Sequence, residues 1–274
     1  MRIGSRDYDT DKGCYIMGIL NVTPDSFSDG GRYNDTDRAL KRAETMIAEG
    51  ADIIDIGGES TRPGFTRITD EEEIERTAPV IEAVTKNFDI PVSIDTYKHR
   101  VAREAVSAGA SMINDVCGLK YDKGEMAQFI AESGLPCCIM HNRSNSDYNV
   151  FMEDMLNDLR EALDIAYRAG IGCESIILDP GIGFAKSYEN NLEAIERLDV
   201  LVKELGYPVL LGTSRKSVIG NALGLPSSER VEGTVATTVI GVMKGACFFR
   251  VHDVKENLRA VKMTKAVMEG WQNG

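Results

Sequence analysis

Along the chain, short runs that are apolar at nearly every position alternate with longer stretches whose apolar residues recur at helical spacing. Eight short runs stand out, at 15–20, 52–56, 91–94, 111–113, 136–140, 175–178, 207–211 and 246–251. Helical patterns occupy 37–49, 70–86, 98–108, 123–132, 151–169, 188–205, 228–244 and 255–269. Gly50, Gly109, Gly134, Gly170, Gly206 and Gly245 stand where such helices should close, at the position that favours the left-handed conformation. A strand that alternates has one wet face, whereas a run apolar throughout is covered on both, which implies a parallel sheet flanked by helices. Eight β/α units in 274 residues predict an α/β protein: a (β/α)8 TIM barrel forming a single domain over 1–274, with an open doubly wound sheet as the alternative. Residues 3–13 are expected to form a short N-terminal hairpin that turns at Asp11-Lys-Gly13 and closes the barrel bottom.

The first run leads into Asn21-Val-Thr-Pro-Asp-Ser-Phe-Ser-Asp-Gly-Gly31, a loop longer than a strand needs to reach its helix and dense in Asp, Ser and Thr. Loops of that kind on a rigid scaffold carry ligands. The later runs also end in polar clusters: Glu59-Ser-Thr-Arg62, Asp95, Asn114-Asp115, Met140-His141, Asp179 with Gly181 and Gly183, Ser214-Arg-Lys216-Ser217, and Arg250 with His252. In a barrel all these strand ends face one mouth, where catalytic groups gather.

Composition narrows the chemistry. With 43% hydrophobic and 27% charged residues the chain has material for a sizeable core and is not a disordered one. No apolar run reaches membrane-spanning length, and the first residues lack the apolar segment of a signal peptide, so a soluble, cytoplasmic protein without membrane partners is expected. The six cysteines form no C-x-x-C pair and sit mostly in or beside apolar runs, as small buried hydrophobes of a reducing compartment do. The three histidines show no H-x-x-x-H spacing, which argues against a zinc enzyme. A net charge of -12 disfavours nucleic acid, but local cations can still hold a small anion.

Asp95 and Asp179 each end an apolar strand, placing carboxylates at the floor of a low-dielectric cavity. Such groups need donors, which a ligand rich in N–H groups supplies; Asn114 can both donate and accept. Each alone would also serve as a helix cap. Arg62, Lys216, Arg250 and His252 bring donors and positive charge to the same mouth, and Asn21 offers an oxygen suited to Mg²⁺ carrying phosphate. Two motifs mislead: Gly181-Ile-Gly183 lacks the third glycine of a dinucleotide fingerprint, and Gly212-Thr-Ser-Arg-Lys-Ser217 has Arg where a P-loop needs Gly before Lys.

Asn21 to Gly31, Gly57-Gly-Glu-Ser-Thr-Arg-Pro-Gly64, Ser93-Ile-Asp-Thr96, Ile113-Asn-Asp-Val116, Met140-His141, Asp179-Pro-Gly-Ile-Gly-Phe184, Thr213-Ser-Arg-Lys-Ser217 and Arg250-Val-His252 together resemble the dihydropteroate synthase family. The likeness runs from the first strand to the last; Phe65, bulkier than expected after Pro63-Gly64, departs from it. It implies a transferase that joins 6-hydroxymethyl-7,8-dihydropterin diphosphate to p-aminobenzoate through a pterin methylene cation. By the same resemblance Asp95, Asn114, Asp179 and Lys216 hold the pterin edge. Arg250 lies on its face, and with Asn21, Thr61, Arg62 and His252 meets the diphosphate, with Mg²⁺ at Asn21. Phe27, Pro63 and Phe184 form a slot for the benzoate ring, Ser217 lies near its carboxylate, and Asp95, Asn21, Lys216 and Arg250 are the catalytic set. A homodimer packed through the last helices is also implied. Two other readings keep the barrel: methyl transfer from methyltetrahydrofolate to a corrinoid protein, for which the 21–31 and 213–217 motifs have no evident use, and a catalytically silent pterin-binding barrel.

Overall fold

The computed structural model describes residues 1–23, 32–60 and 66–270. Strands β1 (Arg2–Ile3) and β2 (Arg6–Asp7) pair antiparallel as a hairpin. Eight strands then pair in parallel: β3 (Tyr15–Asn21), β4 (Ile53–Gly57), β5 (Val92–Asp95), β6 (Met112–Asp115), β7 (Cys137–Met140), β8 (Ile176–Asp179), β9 (Leu210–Leu211) and β10 (Phe248–Val251). Their order is β8-β7-β6-β5-β4-β3-β10-β9, and a parallel bridge from Leu178 to Val209 joins the two ends, so the sheet closes on itself. The helices that follow are α1 (Arg32–Glu49), α2 (Asp70–Asn87), α3 (His99–Ser107), α4 (Glu125–Ser133), α5 (Phe151–Ala169), α6 (Tyr188–Glu196), α7 (Leu198–Leu205), α8 (Ser217–Leu223), α9 (Val231–Met243) and α10 (Val254–Gly270). This is the (β/α)8 barrel that the apolar runs predict, and the doubly wound alternative falls.

Side chains alternate across each strand, and the two faces carry different cores. The outer face, with Ile16, Ile54, Val92, Ile113, Ile139, Leu178 and Phe249, packs under the helices. The inner face begins with an apolar floor of Met17, Ile53, Met112, Cys138, Ile177, Leu210 and Phe248, to which β5 adds Ser93, and against which Ile3 and Tyr8 of the N-terminal segment are packed. The hairpin therefore plugs the barrel bottom as expected, but it turns at Gly4-Ser5 rather than at Asp11-Lys-Gly13. Gly4, with φ of +57°, supplies that turn. Asp11-Lys-Gly13 makes a second bend instead, held by the Asp9 carboxylate accepting from the Asp11 and Lys12 amides.

Three further departures have local causes. The predicted 188–205 helix breaks at Arg197 (φ −103°, ψ 24°), a change of direction that buries Leu198 and Leu201 completely. The predicted 207–211 strand shortens to Leu210–Leu211, beginning after Pro208, which has no N–H to give a ladder. The short α8, unmarked by any long apolar period, lies ahead of α9 and begins beside Lys216. All six glycines predicted to close helices have positive φ.

Candidate active site

Two residues above most floor positions, on the same inward face, stands a polar group or a residue that leaves room for a ligand; above Met17 it is the apolar Ile19. Ile53 is followed by Asp55, Met112 by Asn114, Cys138 by Met140, Ile177 by Asp179, Leu210 by Gly212 and Phe248 by Arg250. Register sets Asp95 opposite Gly57 and Asn114, and Met140 opposite Asp179, while Asp55 lies opposite Ser93 and Asn114 opposite Cys138, the stagger of a closed barrel. The Arg250 guanidinium spans the cavity, its Nε donating to Asp55 Oδ2 at 2.5 Å and its Nη2 to Asp95 Oδ2 at 2.5 Å. Asn114 Nδ2 donates to the same Asp55 oxygen at 3.3 Å. A Cβ built on Gly212 would lie 3.6 Å from Asp179 Oδ2, 3.8 Å from Lys216 Nζ and 3.9 Å from Arg250 Cβ. Asp95, Asn114, Asp179, Lys216 and Arg250, spread over more than half the sequence, thus share one cavity.

The polar groups of this cavity are not fully satisfied by the protein itself. Among the described residues the buried side-chain atoms without a hydrogen-bond partner are Asp55 Oδ1, Ser93 Oγ and Asp95 Oδ1, all on neighbouring strands and all facing inward. An orphaned carboxylate oxygen in a low-dielectric site costs several kcal/mol unless a donor arrives. Burial pushes the Asp95 carboxyl well above its ordinary value, Arg250 opposing and Asp55 reinforcing the shift. Burial raises Asp179 as well, against the pull of Lys216 and of the Gly181 amide, which donates to Asp179 Oδ1 at 2.6 Å. Lys216 is pushed down to about 8 by burial, with Asp179 drawing it the other way. Burial alone would lower Arg250 too, but Asp55 and Asp95 hold it above its ordinary value.

An apolar wall of Tyr97, Val116 and Met140 rises beside this polar set, with Phe184 packed against it. Lys216 Nζ lies 4.9 Å from the centre of the Phe184 ring and donates to the Ile182 carbonyl at 2.5 Å. At the rim, His252 Nδ1 meets Ser214 Oγ at 3.0 Å, and Arg215 pairs with Asp253, fixing the turn that delivers Lys216. Arg230 donates to the Arg215 and Lys216 carbonyls from behind. Asn21 ends β3 opposite Gly57 and is half-buried, while Ser217 opens α8 and is exposed. Phe27, Thr61, Arg62 and Pro63 lie outside the described residues.

Not every polar strand end faces the mouth. Glu59 accepts from Tyr97 at 2.5 Å and from Lys98 at 2.8 Å, within a buried cluster that also takes in Glu73. Asp115 points outward and accepts from the Cys117 and Leu119 amides. His141 turns away to Asp158 and Lys186. Sequence reasoning missed Asp55, the carboxylate at the centre of the Arg250 network. Its one signal was an acid inside Ile53-Ile-Asp-Ile56, where a wall residue would be apolar.

Fold and cavity define the class: a barrel whose mouth gathers acids, an amide and a lysine, and the pterin binding enzyme family matches residues 17–252. The chain is 61% identical over 98% of its length to the dihydropteroate synthase of Clostridium beijerinckii, of which it covers 99%. A dihydropteroate synthase from Clostridium difficile, solved in the presence of pteroic acid, superposes with a TM-score of 0.92 at 51% identity, over 95% of this chain and 99% of that one. The enzyme from Xanthomonas albilineans, solved with 4-aminobenzoic acid, gives 0.89 at 41% identity over 93% of each chain. The chain belongs to the dihydropteroate synthase family.

Proposed function

We propose that this single barrel domain condenses 6-hydroxymethyl-7,8-dihydropterin diphosphate with p-aminobenzoate by a dissociative route, using the cavity just described. The activity is that of the family, an alkyl transfer in folate biosynthesis. The observation that carries the mechanistic reading is the buried Asp95 oxygen with no partner, beside Asp179, Asn114 and Lys216. Two carboxylates and an amide accept the N–H groups along the pterin edge, and the Lys216 ammonium donates to its oxygen or ring nitrogen. The negative charge of the two carboxylates then favours the next step. The bond from the methylene carbon to the diphosphate oxygen breaks, its electron pair leaves with the diphosphate, and a cation delocalised over the dihydropterin remains. The aniline nitrogen gives its lone pair to that carbon, forms the C–N bond and loses a proton.

Arg250 acts at both ends of that separation, lying against the pterin face while its charge, with Asn21, Thr61, Arg62 and His252, attracts the departing diphosphate. Phe184, with Phe27 and Pro63, receives the benzoate ring, and Ser217 its carboxylate. Asn21 suits a Mg²⁺ ion: an amide oxygen at the rim is a hard ligand, and Mg²⁺ favours one or two protein oxygens together with substrate phosphates and water. Bound there with the substrate, the ion would neutralise charge on the leaving group.

Assembly as a homodimer through α9 and α10 is part of this reading. Localisation in the cytoplasm is a further part; among the described residues no helix is long and apolar enough to cross a membrane.

Diphosphate release that depends on added p-aminobenzoate is the test that separates this activity from methyl transfer to a corrinoid and from silent binding. Asp95→Asn is expected to abolish turnover while leaving the circular dichroism spectrum unchanged. Near-normal product formation by that variant would remove Asp95 from the mechanism.

A further inference from the structure

The loop between β8 and α6 is held in a conformation that its own backbone does not support. Gly181, Gly183 and Ala185 all have positive φ, at 68°, 86° and 44°. At Gly181 only glycine fits, since a Cβ there would approach the His141 carbonyl to 2.0 Å; at Ala185 the left-handed conformation is strained, because its Cβ crowds the backbone. One turn-closing backbone bond, Phe184 N to the Gly181 carbonyl at 3.1 Å, is internal to the loop. Side chains bind the other groups. Lys186 Nζ donates to the Gly181 carbonyl at 3.0 Å and the Phe184 carbonyl at 3.2 Å, and Lys216 Nζ to the Ile182 carbonyl. Tyr148 Oη donates to the Ala185 carbonyl at 2.9 Å, and Asn191 Oδ1 accepts from the Gly183 amide at 2.6 Å.

Of these anchors Lys216 is the one a substrate would claim. A bond to the pterin draws the Lys216 ammonium toward the ligand and away from the Ile182 carbonyl, so the loop that presents Phe184 needs support that binding does not disturb. Lys186 has that character. Besides its two loop carbonyls it meets His141 Nδ1 at 2.7 Å, and His141 Nε2 meets Asp158 Oδ2 at 2.9 Å. A lysine ammonium can only donate, so Nδ1 accepts and the Nε2 hydrogen goes to Asp158. Arg143 completes the chain, donating to both oxygens of Asp158.

We propose that Lys186 is a positioning residue for the transfer reaction. Backed by His141 and Asp158, it holds the Gly181 to Ala185 loop in its strained form, so that Phe184 stays in place for the aromatic acid when Lys216 turns to the pterin. This rests on the roles assigned above to Phe184 and Lys216. The histidine is suited to accept from Lys186, because burial, reinforced by Lys186 and opposed by Asp158, pushes it down to about 4 and keeps it neutral. Holding a second, half-buried lysine here is costly, since its loss of solvent lowers Lys186 to about 7 despite the nearby Asp179. A side chain placed at such cost for stability alone would be better replaced by an apolar one of similar length.

Steady-state kinetics with both substrates tests the assignment. Lys186→Met is expected to raise KM for p-aminobenzoate by about tenfold or more, while KM for the pterin diphosphate stays within about twofold. His141→Leu should reproduce that split, and His141→Asn, which keeps an acceptor near the Nδ1 position, should return KM for the acid to within about threefold of the parent. If Lys186→Met does not fold, the two His141 variants decide alone: equal values for them overturn the proposal, and rescue by Asn sustains it. An unchanged KM for the acid in folded Lys186→Met also overturns it. Phe184→Ala tests the underlying reading separately. An unchanged KM for the acid in that variant removes the slot, whereas a raised KM there with normal Lys186→Met kinetics removes only the lysine's role.

Discussion

Asp55 has no solvent exposure, yet one of its oxygens serves both Arg250 and Asn114 and the other has no partner among the described residues. Two carboxylates therefore share one guanidinium, and each limits how tightly Arg250 grips the other. Asp55→Asn keeps the shape and removes one charge, so Arg250 closes on Asp95 and withdraws it from the pterin. We expect kcat/KM for the pterin diphosphate to fall by about 10- to 100-fold, a loss of about 1.4–2.7 kcal/mol of transition-state stabilisation. Parent-like kinetics for that enzyme would show that Asp55 is only a wall residue. Lys216 sets a pH limit. Burial places it at about 8, so the charged donor is present below that pH and lost above it. The kcat/KM for the pterin diphosphate, which reports the free enzyme, should decline above about pH 8, and Lys216→Arg, charged throughout, should lack that limb at a lower plateau. Stability runs the other way: from about 8 to the ordinary lysine value the unfolded chain holds a proton the folded chain has lost, so stability rises with pH across that window, the cost of burying Lys216 being full below about 8 and gone above the ordinary lysine value. Residues that end apolar runs, Asp95, Asn114 and Asp179, were legible as site candidates because a change of polarity marks the strand end. Asp55 was not, because outward Ile54 and Ile56 flank it and mask the period of two that aims it inward.

At the scale of elements, the apolar runs located all eight barrel strands to within a few residues, since a strand buried on both faces has little freedom in composition. What they could not show was how each run divides between floor and mouth, because apolar residues line both the helix side and the barrel floor. The hairpin turn was misplaced because Asp11-Lys-Gly13 is the better turn by composition, while Gly4-Ser5 is chosen by the need to set Ile3 and Tyr8 into the floor. That packing has a measurable consequence. Ile3 is fully buried, so Ile3→Ala should lower unfolding stability by about 2–5 kcal/mol in denaturant titration. The same enzyme should keep both KM values, since the floor separates the void left at the barrel bottom from the ligand groups two residues higher. A shifted KM would mean that floor and mouth are mechanically coupled.

At the scale of the whole molecule, α9 and α10 pack against each other and both carry large exposed apolar side chains. Met243 and Met263 are each 64% exposed, Val267 59%, Met268 43% and Ile240 39%. Scattered exposed apolar residues are ordinary, but five on two adjoining helices suit a face that is covered in the assembled enzyme. A second copy is the simplest cover, because a two-fold interface places the same patch on both sides. Each chain carries a net charge of -12, so two copies repel at long range, and the apolar contact has to outweigh that repulsion. Met263 and Val267 are one helical turn apart on α10, and the double variant Met263→Lys with Val267→Glu puts two solvated charges at the centre of the patch. Sedimentation should give a dimer for the parent and a monomer for the double variant. Because Asp55, Asp95, Asn114, Asp179, Lys216 and Arg250 meet within one chain, the monomer should retain kcat within about threefold. A parent protein that sediments as a monomer at micromolar concentration would leave the patch without its partner. A double variant that is monomeric but inactive would mean that the second copy holds the barrel mouth in shape.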